Sequence, residues 1–415
     1  MEQRGNTNAH ISSSSSSMLD VTALHWRGGD VCLANVYGDD ENGQQDEERF
    51  AYRVSIFGKS LPCIAGNNKN VSDILPGSTV CVHVWFNPSF FVEIGPCAST
   101  AQIRAFMEEL RRALGRKLER ELHSASCVVA RNFVGTQNPT GFLKLVFRSQ
   151  RALRRADFWL RDKKPHIRRY ETRADPLVGL LHERGIWSPC CFNRADPCVL
   201  SVDVERRDPN AIAEPETTCA KEVLVYPEAV SQGARPDEVV RHKETVVASF
   251  DLECYSSTDH FPNPAVRENV IIAMCTTFSK QGSPCYRKVA LALGPVETDA
   301  FQLHKTGIEL ECFARESQLL GRWARLLAEE RADVLTGYNI WGFDMRYVYQ
   351  RVLVNGGVMN PDLVRFAEDL SRVRDAALEL WKGKVKSGGG QVVEACTIQT
   401  DGVLQIDMMY YLKRF

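Results

Sequence analysis

Hydrophobic and polar positions follow one pattern in the first half of the chain. Between residues 21 and 202, short apolar runs alternate with turn residues. One longer segment, TAQIRAFMEELRRALGRKLEREL, has its apolar side chains three and four residues apart, which predicts an amphipathic helix. Two flanking segments predict hairpins: TVCVHVWFNPSFFVEI, turning at Asn87-Pro88-Ser89, and SCVVARNFVGTQNPTGFLKLVF, turning at Asn138 to Gly141. Hairpin, helix and hairpin in this order predict a small α+β domain.

The second half of the chain has longer apolar runs. We predict four strands, VVASFDLE, NVIIAMCTTF, YRKVALALG and GIELECF, followed by the helix ESQLLGRWARLLAEERA, the strand ADVLTGYN and the helix FDMRYVYQRVLVNGG. Strands followed by alternating helix and strand are typical of an α/β domain. Two polar segments are predicted to lack regular structure: residues 203–236 as a loop-rich connection, and KGKVKSGGGQVVEA as a flexible basic loop.

The predicted fold class is therefore multidomain, with an α+β and an α/β part. The polar N-terminal segment has no hydrophobic signal core, so residues 1–20 are expected to be a disordered leader. Residues 21–240 are expected to form the α+β domain and residues 241–415 the α/β domain. A composition of 44% hydrophobic and 25% charged residues is that of an ordinary globular protein. No apolar run approaches the roughly 18–20 residues of a membrane span, so no membrane partner is predicted.

The cysteines and the net charge limit the classes of protein to which this chain can belong. The 14 cysteines are scattered without a C-x-x-C pair, which predicts reduced thiols in an intracellular compartment, many of them buried, and no zinc framework. A formal charge of −1 means that binding of a polyanion must depend on a local patch.

The most basic segment of the chain is RSQRALRRADFWLRDKKPHIRRY. Its candidate contacts to a DNA backbone are Arg154, Arg155, Lys163, Lys164, Arg168 and Arg169. Phe158 and Trp159 lie between them and could stack on bases. The alternative interpretation is a solvated helix face with both aromatic side chains in the core, and Asp157 and Asp162 favour it because they dilute the charge.

Three carboxylates are the candidate metal-binding residues. In a strand, Asp251 and Glu253 would point to the same face, and like charges that close favour protonation of one of them unless a cation lies between. A solvated pair is the alternative, since Asp-x-Glu is common. Asp344, in LTGYNIWGFDMRY, falls where a strand meets a helix, and capping of that helix is its alternative role. Their presence in one α/β unit favours a divalent metal site.

These residues carry a resemblance to a known family. FDLE, followed by Asn339-x3-Phe343-Asp344, resembles the first two exonuclease motifs of family B DNA polymerases, the group that includes DNA polymerase delta and the polymerases of large DNA viruses. DGVLQIDMMYYLKR is similar to the stretch between the second and third motifs of that family. Upstream, VWFNPSFFVEI, GFLKLVF and RYETRADPLVGLLHERGI resemble its amino-terminal domain.

The resemblance implies a ribonuclease-H-like 3′–5′ exonuclease domain preceded by that amino-terminal domain. Asp251, Glu253 and Asp344 would be catalytic and would bind two Mg²⁺ or Mn²⁺ ions, about 3.5–4 Å apart in such sites. These ions orient a water molecule and stabilise the leaving 3′ oxygen. Asn339 and Phe343 would shape the site and hold the unpaired 3′ end. Oxygen ligands suit these ions, and no imidazole–thiolate cluster in the sequence indicates zinc.

The implied partners are DNA, as primer 3′ end and single-stranded template, and a sliding clamp or other replication factors. The implied location is the nucleus or a viral replication compartment inside the cell.

The chain departs from the family pattern in two ways. The third motif, Tyr-x3-Asp, is expected beyond Phe415, which would leave the exonuclease domain incomplete. Tyr255 and Asp259 fit its formula but leave the first-motif strand immediately, and Asp407 is expected to be structural. The motifs of the palm are missing, so palm, fingers and thumb are taken to be absent.

The sequence therefore predicts the amino-terminal, proofreading part of a DNA-directed DNA polymerase, weak or inactive as an isolated chain. One alternative is a non-catalytic remnant that binds DNA or a partner, and another is a stand-alone 3′–5′ exonuclease.

Overall fold

The structure is a computed structural model. It describes residues 18–32, 50–60, 77–94, 98–130, 139–186, 198–204, 215–233, 245–258, 260–280, 282–297, 305–386 and 392–412. These residues form three β-sheets and a separate hairpin, and each sheet has its own hydrophobic core. No helix among them is both long enough and apolar enough to cross a membrane.

The first sheet contains six strands in the order β10-β8-β1-β2-β3-β9. Their bounds are β1 Met18–Cys32, β2 Phe50–Ser60, β3 Thr79–Phe86, β8 Cys198–Asp203, β9 Lys221–Val225 and β10 Val230–Gln232. One face is apolar because Val54, Ile56, Val80, Val82 and Val84 alternate onto it and pack under helix α3, Pro176–Glu183. The other face carries polar side chains and faces the third sheet.

The second sheet has four strands in the order β5-β6-β4-β7, covered by two helices. The elements are β4 Ser89–Glu93, α1 Thr100–Glu119, β5 Leu122–Ala130, β6 Thr140–Phe147, α2 Gln150–Lys163 and β7 Arg169–Tyr170. This β-α-β-β-α-β order is that of a ferredoxin-like unit. Ser99 begins α1 with a capping box to Gln102, and Ser149 caps α2.

The third sheet orders six strands as β14-β13-β12-β11-β15-β18. The elements are β11 Val246–Cys254, β12 Ile271–Lys280, β13 Cys285–Leu293, β14 Glu309–Phe313, α4 Glu316–Glu329, β15 Val334–Gly337, α5 Asp344–Val354, α6 Phe366–Asp369, β18 Leu404–Asp407 and α7 Met408–Leu412. Trp323 of α4 is fully buried against Phe250 of β11 and Phe366 of α6. Every strand and helix predicted between Val247 and Gly357 is present.

Several predicted elements differ in the first two sheets. TVCVHVWFNPSFFVEI is not a hairpin, because β3 belongs to the first sheet and β4 to the second, with the chain crossing at Asn87-Pro88. The second predicted hairpin is confirmed as the β5–β6 pair, although Thr140 and Gly141 already lie in β6. Helix α1 ends at Glu119, after Gly115 adopts a φ of 75° that interrupts the helix.

Other predictions fail farther along the chain. Residues 203–236 are not simply a loop, since β9 and β10 lie there and complete the first sheet. The predicted flexible basic loop forms a hairpin of β16, Leu380–Lys386, and β17, Val392–Ile398. The tip between them lies outside the described residues.

The predicted leader and buried cysteines also need correction. Residues 1–17 lie outside the described part, and β1 begins at Met18, so the boundary drawn after residue 20 falls within a strand. Among the described cysteines, Cys81 is buried, whereas an exposed set consists of Cys127, Cys275, Cys285 and Cys312.

A buried carboxylate joins the first and third sheets. Asp333, with no exposed surface, accepts a hydrogen bond from the Val246 amide at 2.8 Å, where β11 begins. It also pairs with Arg372 at 2.6 Å and with Lys59 of β2 at 3.1 Å. A second pair, Arg27 with Asp401, crosses the same boundary.

We expect Asp333→Asn to destabilise the chain by about 3–5 kcal/mol, because Arg372 and Lys59 would keep buried charges without a counterion. Urea unfolding measures this free energy. Asp162→Asn is the matched control, since Asp162 forms an exposed pair with Lys163 and should cost at most about 1 kcal/mol. Equal losses in the two variants would contradict the role of Asp333.

Candidate active site

Strand β11 presents Asp251 and Glu253 on one face, as predicted. Along it the inward side chains of Ala248, Phe250 and Leu252 are buried, and both carboxylates are exposed. β12 pairs antiparallel with β11 and places Cys275 opposite Asp251 and Ala273 opposite Glu253. The period of two along a strand therefore brings the two negative charges together at the sheet surface.

The turn after β15 brings the second motif to the same edge. β15 pairs in parallel with β11, so the carboxyl ends of the two strands lie side by side. Gly337 ends β15 so close to β11 that a Cβ atom there would lie 2.5 Å from the Phe250 carbonyl oxygen. Asn339 follows in the left-handed region, with a φ of 63°, a conformation that asparagine tolerates better than most residues.

Asp407 holds this turn. Its carboxylate, at the end of β18, accepts hydrogen bonds from the amides of Asn339 at 2.9 Å, Trp341 at 3.0 Å and Met409 at 2.9 Å. The side chain is buried, and these three donors compensate its charge. This geometry agrees with the structural role expected for Asp407.

Asp344 is the buried member of the acidic group. It is the first residue of α5, where Phe343 occupies the N-cap, and its Oδ1 atom is buried without a hydrogen-bond partner. Burial raises the pKa of its carboxyl to about 7, and the carboxylates of Asp251 and Asp407 add to the rise. The structure therefore brings Asp344 and Asp251 together across a long sequence separation.

Glu253 lies on the same exposed face of β11 as Asp251. The pKa of the Cys254 thiol is raised to about 12 by burial and by nearby carboxylates that include Asp344 and Glu253. In the described part of the chain, no group of three donors within 4.8 Å of one another includes Asp251, Glu253 and Asp344. The three side chains thus line one end of β11 as an open cluster.

Asn339 and Phe343 lie on the turn that precedes Asp344. The Asn339 carbonyl accepts hydrogen bonds from the amides of Gly342 and Phe343, both at 3.0 Å. The Phe343 ring meets Phe261 edge to face, with centroids 5.2 Å apart, and also contacts Tyr347. Phe261 is 77% exposed, so the pair offers an aromatic surface beside the carboxylates.

Sequence reasoning missed Phe261. Its signal was a large aromatic side chain in the polar, proline-containing stretch HFPNP, where nothing local could bury it. Tyr255 leaves β11 at once, its amide bonded to the Val270 carbonyl, and Asp259 lies outside the described residues.

Most of the basic candidates form ion pairs with carboxylates of the same domain, several of them exposed, and do not make up an unpaired basic patch. Four of the six pair with carboxylates: Lys163 with Asp162, Lys164 with Glu109, Arg168 with Glu93 and Arg169 with Asp157. Arg154 donates to Gln150, and Arg155 is exposed on α2. Trp159 packs on the core beside Phe106, but Phe158 is exposed, so the alternative of two core aromatics holds for Trp159 alone.

Comparison with known proteins places this architecture in a family. Residues 167–415 match the family described as DNA polymerase family B, exonuclease domain. The DNA polymerase of Paramecium bursaria Chlorella virus NY2A is 26% identical over 400 residues, which is 90% of this chain and 37% of the viral protein. The DNA polymerase delta catalytic subunit of Oryza sativa is 27% identical over 170 residues, covering 40% of this chain and 14% of that subunit.

A solved structure shows the same fold. The family B DNA polymerase of Pyrobaculum calidifontis has a TM-score of 0.54 and 17% identity, covering 95% of this chain and 37% of that polymerase. This chain spans little more than a third of the length of the viral relative. On its matched residues and its fold, the chain belongs to the family B DNA polymerases and contains their ribonuclease-H-like exonuclease domain.

Proposed function

We propose that this chain is the proofreading part of a replicative DNA polymerase and hydrolyses the 3′-terminal nucleotide of DNA. The observation that carries the proposal is the Oδ1 atom of Asp344, buried and without a partner, beside Asp251 at the edge of the central sheet. A buried acceptor without a donor is costly, and such sites are typical of functional positions.

The residues fit divalent cations. Asp251, Glu253 and Asp344 offer oxygen donors only, which suit Mg²⁺ or Mn²⁺, and two ions would share Asp251. When bound, the ions supply electrostatic stabilisation for the attacking water and for the leaving 3′ oxygen. They would also remove the repulsion that favours a proton on Asp344.

The protein side chains supply position. Asp407 fixes the turn from Asn339 to Trp341, and through it the start of α5 and the carboxylate of Asp344. Phe343 and Phe261 form an aromatic edge on which the terminal base of an unpaired 3′ end can stack.

We extend the proposal to the whole protein on the strength of its relatives. The matched viral and delta proteins are named DNA polymerases, which supports DNA synthesis by the complete protein, with primer and single-stranded template as substrates. A sliding clamp as partner, and a nuclear or viral replication compartment as location, are further proposals from the family.

A non-catalytic DNA-binding role gains no support from the basic segment. Its charges are largely neutralised within the second sheet and its helices, and pairs of this kind reduce the field available to a phosphate backbone.

In the metal-free protein, we predict that the contribution of Asp344 to stability depends on pH. The pKa of Asp344 is raised in the folded state, so its stabilising contribution is complete below the unfolded pKa near 3.9 and is lost as pH rises through about 7. With a chelator present, Asp344→Asn should therefore gain stability relative to the wild type by about 2 kcal/mol between pH 5 and pH 8. Urea unfolding at the two pH values measures it, and Asp162→Asn is the control. A gain independent of pH would contradict the position of Asp344.

The second prediction tests the activity. Asp251→Ala should lower the rate of Mn²⁺-dependent 3′-end removal at least about 100-fold, since lost metal binding costs several kcal/mol of charge stabilisation. Single-turnover digestion of 5′-labelled single-stranded DNA measures the rate. Ser249→Ala, on the same strand face, should leave it within about twofold. Metal-dependent digestion by the wild type at a rate that Asp251→Ala leaves unchanged would refute the exonuclease assignment.

The third prediction concerns the aromatic edge. Phe261→Ala should raise the KM for single-stranded DNA roughly 5- to 100-fold with little change in kcat, because a stacked base contributes about 1–3 kcal/mol. Phe261→Trp should restore binding. Tyr286→Ala, an exposed aromatic on β13, is the control. A loss of kcat at unchanged KM would argue against stacking.

A further inference from the structure

A polar cluster lies on the face of the first sheet that turns toward the exonuclease domain. His83 of β3 is 2% exposed, and its Nε2 atom lies 2.6 Å from Oε1 of Glu222 on β9. One donor atom from each of His83, Glu216 and Glu222 lies within 4.8 Å of the other two. The sequence could not show this group, because Glu216 and Glu222 reach His83 only through the parallel pairing of β3 with β9.

The Cys81 thiol lies next to the imidazole of this group, although its sulfur atom is not within 4.8 Å of all three donor atoms. Cys81, fully buried, faces the same side of β3 as His83, and its Sγ atom lies 3.5 Å from Nε2 of His83. In a tetrahedral zinc site, Zn–S near 2.3 Å and Zn–N near 2.0–2.1 Å place the two donors roughly 3.5 Å apart. No imidazole–thiolate cluster was expected from the sequence to indicate zinc, and the structure places the Cys81 thiol beside the His83 imidazole.

The surroundings orient the imidazole as a ligand. Ser55 of β2, also buried, has its Oγ atom 2.7 Å from Nδ1 of His83. In the metal-free chain Nε2–H donates to the Glu222 carboxylate and the Ser55 hydroxyl donates to Nδ1. With a cation on Nε2, the proton lies on Nδ1 and is donated to Ser55, an outer hydrogen bond that fixes the metal-binding tautomer. Glu222 is held in turn, since its Oε2 accepts from the amide and the hydroxyl of Thr217 at 3.0 and 2.9 Å.

The charges of the cluster leave room for a cation. Arg53 donates to Glu216 at 2.9 Å and neutralises one of the two carboxylates. Burial lowers the pKa of His83, so the imidazole is neutral and the remaining negative charge has no full counterion in the cluster. A divalent cation together with a Cys81 thiolate brings the formal charge of the group to zero. The Glu216 side chain is 40% exposed and provides a route of entry.

We propose that Cys81, His83, Glu216 and Glu222 form a structural binding site for a zinc-like divalent cation. The mixed sulfur, nitrogen and oxygen donors suit Zn²⁺ rather than the Mg²⁺ or Mn²⁺ of the exonuclease site. Binding releases the proton of the Cys81 thiol to solvent, and the single proton of the neutral imidazole moves from Nε2 to Nδ1, where it is donated to Ser55.

The site would fasten the junction of the two domains. Glu216 belongs to a segment whose backbone is already tied to the exonuclease domain, through Thr218 to the Arg372 carbonyl and through Arg374 to the Glu216 carbonyl, both at 2.8 Å. A cation that links this segment to β3 and β9 therefore links the first sheet to residues that also hold Asp333.

The test uses the full chain with Asp251→Ala and Asp344→Ala, which removes two of the three exonuclease carboxylates. After chelation and dialysis, Co²⁺ is titrated and followed by absorption. We expect one equivalent to bind, with the visible bands of tetrahedral cobalt and a thiolate-to-cobalt charge-transfer band, and Zn²⁺ to displace it and raise Tm.

Variants locate the site. Cys81→Ser should abolish the charge-transfer band, and Ser55→Ala should weaken binding roughly 10- to 100-fold by releasing the imidazole. Cys127→Ser, at an exposed thiol on β5, should change neither. The proposal is overturned if the parent protein shows no charge-transfer band, or if the band survives in Cys81→Ser. The parent titration decides even where Cys81→Ser does not fold.

Discussion

The fully buried carboxylate of Asp333 is the constraint on which the arrangement of the two domains depends. An isolated charge in that position would cost several kcal/mol, and only the Val246 amide, Arg372 and Lys59 together compensate it. These partners come from the start of β11, from the segment after α6 and from β2. The position of the central strand is thereby fixed relative to the first sheet before any catalytic side chain is considered.

The active site shows the reverse arrangement, in which polar groups are left uncompensated. Asn339 adopts a left-handed backbone at a cost that the buried hydrogen bonds of Asp407 offset, and Gly337 allows the close approach to β11 because it lacks a Cβ atom. The Oδ1 atom of Asp344, on the same turn, is buried without a hydrogen-bond partner. The residues that build the turn are thus stabilised by hydrogen bonds, whereas Asp344, which the turn positions, has a buried oxygen atom without a partner. This is expected where function constrains a site.

Local pattern revealed the third sheet well and the first two poorly, for a physical reason. The strands around Asp251 are long and apolar on at least one face, and their helices have clear apolar periodicity, so period alone identifies them. β3 and β4 have the same strand pattern, but pattern does not say which sheet a strand joins, and the crossing at Asn87-Pro88 resembles a hairpin turn. β16 was missed because alternating lysines in a two-stranded hairpin give no buried face to detect.

Part of the candidate site could be predicted from the sequence, because it follows from a general property of parallel β-sheets. Asp251 and Asp344 meet because β11 and β15 are neighbouring parallel strands, and the carboxyl ends of such strands share one edge of a sheet. The alternation of a strand brought Glu253 to the same face. The sequence pattern does not show how deeply each group is buried. Asp344 is buried whereas Asp251 and Glu253 are exposed, and burial raises the pKa of the Asp344 carboxyl to about 7. The same limit applies to Cys81 and His83, whose spacing was visible in the sequence but whose acidic neighbours were not.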